Sequence, residues 1–158
     1  MAANLDGNGT PGVLAPPPLI YGVFLFVGLG LQYVWPVAVV PDTVRYVGGG
    51  GVIAASFVFV GFGLRAFVRA RTTVNVYRSA SALIVGGPFR FSRNPLYVSL
   101  TMFYCGIALA LDNVWMLALA VPAVAVMHHG VILREERYLQ RRFGAEYERY
   151  SASVRRWL

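Results

Sequence analysis

Two polar blocks carry the residue types from which a binding or catalytic site could be assembled. The first is Gly86-Gly87-Pro88-Phe89-Arg90-Phe91-Ser92-Arg93-Asn94-Pro95-Leu96-Tyr97. The second opens at Arg134-Glu135-Glu136 and runs through Phe143-Gly144, Tyr147 and Tyr150 to Arg155-Arg156-Trp157. Glu135 and Glu136 stand where an apolar segment ends, and carboxylates there are costly unless water, a cation or a ligand compensates them. Their downstream neighbours at i+3 and i+4 are Tyr138, Leu139 and Gln140, none of them cationic. Glu146, by contrast, has Arg142 and Arg149 at pairing distance. Glu146 therefore reads as structural, while the pair reads either as a solvated helix surface or as available for chemistry.

Arg93 precedes Asn94-Pro95, and Pro95 is well placed to start a helix. An arginine in that position can snorkel to lipid phosphates, the reading that suits Arg90, or its planar fork can hold a carboxylate bidentately. Tyr97 lies one turn further on, as an interface aromatic or as a partner in the same site. His128 and His129 are adjacent, so they point about 100° apart and cannot form the i, i+4 pair that binds zinc on a helix. No metal is expected; an interfacial hydrogen bond or assistance in proton transfer are the roles open to them. Gly61-Phe62-Gly63 reads first as a helix-packing site, as do Gly22, Gly28 and Gly30.

These residues need elements to position them, and hydropathy supplies apolar helices. Of the 158 residues, 57% are hydrophobic and 13% charged, and the mean hydropathy is positive. That places the chain among small polytopic membrane proteins. Spans are expected at about 19–40, 48–68, 96–111 and 114–133, with the start of the second left open by the run Gly48 to Gly51 and a bend at Pro122 in the fourth. The last two form a hairpin through Asp112-Asn113, which returns the chain to the face it left and brings the two polar blocks together. Residues 1–18 carry no basic n-region and are expected to be a disordered, retained tail ahead of a single domain at 19–158. Beyond the fourth span, Leu139, Phe143, Tyr147, Tyr150, Val154 and Trp157 recur at intervals of four and three, a helical stripe that would lie along the interface or cap the bundle.

All 14 basic residues are arginines, against seven acidic residues, a formal charge of +7. They cluster at the ends of apolar spans, so topology explains them better than nucleic acid does. The connection at 69–95 and its flanks hold Arg65, Arg69, Arg71, Arg78, Arg90 and Arg93, whereas the opposite turns hold only Asp42, Arg45 and Asp112. The positive-inside rule then puts that loop, both termini and the segment 134–158 in the cytoplasm, in a plasma membrane of prokaryotic type. A single cysteine, Cys105, permits no intramolecular disulfide.

Taken in order, Gly87 to Tyr97, Glu135-Glu136 with Leu139, Phe143-Gly144, Tyr147 and Tyr150, and Val154-Arg155-Arg156-Trp157 resemble the integral-membrane methyltransferases: the isoprenylcysteine carboxyl methyltransferases and the phospholipid N-methyltransferases. The resemblance implies S-adenosylmethionine as cofactor, held between the last two spans and the C-terminal segment, and a lipid or isoprenoid substrate arriving from the bilayer. It implies Arg93, Pro95, Tyr97, Glu135 and Glu136 as cofactor-binding residues, with His129, Gly61 and Gly63 beside them, and Arg93, Asn94 and Glu136 as catalytic. Asn94 stands where the carboxyl methyltransferases often have histidine, and asparagine cannot titrate. The acceptor implied is most simply a carboxylate of an isoprenoid or prenylcysteine-type molecule, with a phospholipid head group as alternative. A nicotinamide-dependent reductase of sterol-reductase type and a non-catalytic membrane scaffold are the readings from other classes.

Overall fold

The computed structural model describes residues 11–70 and 82–158. Most of the expected disordered tail, together with Arg71 and Arg78 of the connecting loop, lies outside the described residues. Among the described residues the regular structure is entirely helical. Helix α1 (Pro17–Val34) has proline in its first turn, where the missing N–H has no intrahelical acceptor in any case. It ends at Val34 rather than near Val40. Pro36 disfavours helical backbone at the residue before it, and Trp35 leaves the helix at φ −129°, ψ 79°.

Helix α2 (Val44–Arg69) opens with a π-helical turn over Val44–Gly49 and passes through the glycine run without interruption. Packing against helix α3 (Pro95–Ala110) accounts for this. A Cβ at Gly49 would stand 2.7 Å from the backbone nitrogen of Ala110, and one at Gly106 would stand 3.0 Å from that of Ile53. The two glycines let the backbones approach where no larger residue fits. Gly28 is similarly pressed against Met116, and Gly63 against the Leu96 side chain. A Cβ at Gly22, Gly30 or Gly61 would meet nothing within 4 Å among the described residues, so the packing expected of them is not found there.

The hairpin turn at Asp112-Asn113 is tightly specified. Asp112 adopts φ 49°. Its carboxylate accepts the amides of Val39 and Val40 at 3.1 and 2.9 Å, tying down the α1–α2 connection. Asn113 caps helix α4 (Val114–Phe143) by accepting the Met116 amide at 2.9 Å, while its own amide donates to the Gly28 carbonyl at 3.1 Å. The fourth helix does not stop at Leu133 as expected. It absorbs Pro122, passes through a π-helical turn at His128–Ile132 and continues to Phe143. Its 30 residues span about 45 Å, against roughly 30 Å of hydrocarbon, so its last turns project beyond the apolar layer. Glu135 and Glu136 ride on that projection.

By length and composition α1, α2 and α4 can cross a membrane, and α3 is a shorter apolar helix of 16 residues. It is nonetheless central: α2 packs on one side of it and α1 with α4 on the other. Ile20, Tyr21, Tyr104, Met116, Met127 and Val131 form the main core between α1, α3 and α4. The buried Tyr104 hydroxyl donates to the Met116 carbonyl at 3.0 Å. Large apolar residues such as Phe26, Phe57 and Phe62 face outward, as lipid contact requires.

Gly144, at φ 50°, breaks the chain between α4 and helix α5 (Ala145–Ser153). The apolar stripe of the C-terminal segment is thus divided between two helices instead of running along one. Its members still converge: Tyr147 and Tyr150 pack with Phe89, Leu139, Phe143, Val154 and the end of α2 at Phe67. The segment caps the bundle.

Candidate functional site

The two polar blocks meet. Pro88 and Phe89 lie in a single 3-10 turn, Gly87–Arg90, which Gly87 enters at φ 62°. The turn is held in place when the Tyr150 hydroxyl donates to the Phe89 carbonyl at 2.8 Å. Residues 92–94 then take the C-terminal segment alongside. The Arg93 amide donates to the Arg155 carbonyl at 2.9 Å, and the Asn94 side-chain amide donates to the Arg156 carbonyl at 2.9 Å. Pro95, fully buried, starts α3 immediately afterwards. Arg93 is thereby fixed between a docked strand-like segment and a rigid helix start.

Glu136 is the centre of the cluster. Its carboxylate takes Arg93 Nη1 at 3.2 Å and Arg156 in a forked arrangement, Nε at 2.9 Å to Oε1 and Nη2 at 2.8 Å to Oε2. The side chains of Arg93 and Glu136 are 14% and 13% exposed, so that pair is largely desolvated, while Arg156, at 35%, closes the triplet from its solvent side. Glu135 accepts a hydrogen bond from the Tyr97 hydroxyl at 2.8 Å. The glutamates that local spacing leaves without partners are therefore both engaged, by residues far away in sequence. Arg93 Nε is buried with no hydrogen-bond partner among the described residues.

Electrostatics follow this arrangement. The hydrogen bond to Glu136 holds the Arg156 guanidinium above its ordinary value, against some loss to desolvation. Burial pushes the Tyr147 phenol up, and Glu136 adds to this while the adjacent Arg93 opposes it. Burial likewise raises Tyr150. Tyr150 stays protonated and donates to the Phe89 carbonyl, whereas the Tyr147 phenol oxygen accepts from the Arg93 guanidinium.

Arg93, Asn94, Pro95, Tyr97, Glu135 and Glu136 are brought to one place. His129 is exposed and has no hydrogen bond or ion pair to them, whereas its half-buried neighbour His128 lies within electrostatic reach of Arg156 and Glu136. Gly61 is exposed on α2, and Gly63 reaches the site only through Leu96, the residue between Pro95 and Tyr97. Asn94 donates its side-chain amide to the C-terminal segment. Arg90 is exposed, consistent with an interface anchor. Sequence reasoning missed Arg156: it lies twenty residues from Glu136, beyond a helix break, and no local spacing signals the pair. Ser92 was missed as well, although its buried hydroxyl accepts the Asn94 amide at 3.1 Å.

A family model described as phospholipid methyltransferase matches residues 44–146, well over half of the chain. The chain belongs to the phospholipid methyltransferase family. The match spans α2, α3, α4 and the start of α5, and so takes in the first polar block and both glutamates. An uncharacterized protein of Haemophilus influenzae is 38% identical over 63 residues, covering 40% of this chain and all of that relative. No solved structure matches the chain. Family membership and the apolar helices identify an integral-membrane methyltransferase fold.

Proposed function

We propose that the protein transfers a methyl group from S-adenosylmethionine to a lipid-like acceptor that reaches the site from the bilayer, on the cytoplasmic face. The observation that carries this reading is the triplet of Arg93, Glu136 and Arg156 at the end of an apolar helix, in a chain of a lipid methyltransferase family. The donor set fits the cofactor. The buried Nε of Arg93, without a hydrogen-bond partner among the described residues, is a donor that a ligand carboxylate would satisfy. Arg93 would hold the carboxylate of the amino-acid moiety, with Glu135 and Tyr97 facing its ammonium. The cofactor, when bound, supplies an electrophilic methyl group on a sulfonium.

The remaining work belongs to the chain. Pro95, Asn94 and the docked C-terminal segment fix Arg93, which contributes orientation before any reaction occurs. Phe89, Tyr147 and Tyr150, packed together as a buried cluster, would close the site toward water. An acceptor carboxylate from an isoprenoid or prenylcysteine-type molecule would need no proton removed, and a poorly hydrated site suits the meeting of opposite charges. A phospholipid head-group amine is the second reading, favoured by the family description. That acceptor must lose a proton, and Glu135 is its base, because Glu136 is committed to two guanidinium groups.

Incubating the purified protein with methyl-labelled cofactor and total lipid extract, followed by mild alkali, tests the reading. Label in a lipid product is expected. Label freed by alkali as volatile methanol identifies a methyl ester, label that stays non-volatile identifies an N-methyl group, and no labelled lipid would overturn the proposal.

A further inference from the structure

Arg156 lies outside residues 44–146, the stretch matched by the family, yet it makes the shortest ion-pair contact in the cluster. Three features of its setting converge. Its guanidinium uses Nε and Nη2 to take both oxygens of Glu136, a planar fork that lysine cannot reproduce. Its carbonyl accepts from the Asn94 amide at 2.9 Å and the Ser92 hydroxyl at 3.4 Å, and the preceding carbonyl accepts the Arg93 amide. Arg93, meanwhile, gives Glu136 only Nη1 at 3.2 Å, also donates to the Tyr147 phenol, and has a buried Nε with no partner among the described residues. Were Arg156 absent, Glu136 would have Arg93 as its one cation, and the fork of Arg93 would be drawn fully onto it.

We propose that Arg156 is a positioning residue that closes the C-terminal segment over the site: by occupying Glu136 it holds Arg93 back, with a donor turned to an anionic group of the ligand. This rests on the reading of the site as a cofactor pocket, and it adds a clasp from outside the matched stretch. The clasp links the end of α4 to the start of α3 through one side chain and two backbone carbonyls.

Two measurements on the full chain in detergent test the inference, one of them without ligand. Hydrogen exchange at the Arg93 amide, which donates to the Arg155 carbonyl, is expected to speed up at least about tenfold in both Arg156→Gln and Glu136→Gln, and to stay unchanged in Arg149→Gln, which removes an exposed arginine of α5. Unchanged exchange in Arg156→Gln would overturn the clasp. Titration with S-adenosylhomocysteine is expected to show affinity reduced at least about tenfold in Arg156→Gln and partly restored in Arg156→Lys, which keeps the charge but not the fork. In turnover, KM for the cofactor should rise more than kcat falls. Wild-type affinity in Arg156→Gln would overturn the positioning role. Absence of binding in the wild type would instead defeat the cofactor reading, with the exchange result still deciding the clasp.

Discussion

At the residue scale, the energetic weight falls on Glu136. Removing Glu136 itself would leave two guanidinium groups without their carboxylate, whereas removing Arg93 leaves Glu136 still paired with Arg156 and costs less. Arg93→Ala is expected to lower thermal stability in detergent and to abolish S-adenosylhomocysteine binding, while the protein still extracts as a monodisperse species. Retained affinity would remove Arg93 from the site. Tyr150→Phe is a milder change. It deletes the hydroxyl that donates to the Phe89 carbonyl and should cost about 1 kcal/mol. Because the folded state raises the Tyr150 phenol above its usual value, its contribution is complete below the unfolded value near 10 and fades as pH rises beyond it. Melting temperatures of wild type and Tyr150→Phe should thus converge at strongly alkaline pH. The nearness of Arg93 to Glu136 was legible in the sequence, since a hairpin between two polar blocks requires it. The partner Arg156 was not, because it acts across the break at Gly144, where helical periodicity carries no information.

At the scale of elements, close approach decides which glycines matter. Gly49→Ala would force a methyl group against the Ala110 backbone at 2.7 Å and should destabilise by about 1–3 kcal/mol, measured as loss of folded protein on heating in detergent. Gly30→Ala, with nothing within 4 Å, should be neutral or stabilising, since alanine favours helix over glycine by up to about 1 kcal/mol. Equal effects of the two substitutions would contradict the α2–α3 crossing. Composition alone could not separate these glycines: a glycine in a span looks the same whether a backbone or lipid lies opposite. The same limit explains the ends of the helices. Pro36 stops α1 earlier than hydropathy suggests, and α4 runs past the hydrophobic boundary because charged residues with high helix propensity extend it.

At the scale of the whole molecule, the apolar helices with a short third one followed from hydropathy, and capping of the bundle was one of two outcomes open to the C-terminal stripe, but the central place of α3 and the division of that stripe at Gly144 needed three-dimensional packing to appear. Arginine distribution argues for the site facing the cytoplasm. Single cysteines at two exposed positions test this, after replacement of Cys105: Glu148→Cys on α5 and Asp42→Cys in the opposite turn. A membrane-impermeant maleimide applied to intact cells is expected to label Asp42→Cys, and Glu148→Cys only after permeabilisation. The reverse pattern would invert the topology.

The central claim, that the triplet of Arg93, Glu136 and Arg156 forms a pocket for S-adenosylmethionine, is tested most directly by isothermal titration of the detergent-solubilised protein with S-adenosylhomocysteine and, separately, with NADPH. Saturable binding of S-adenosylhomocysteine and none of NADPH is the expected result. Binding of neither ligand, or of NADPH alone, would contradict it.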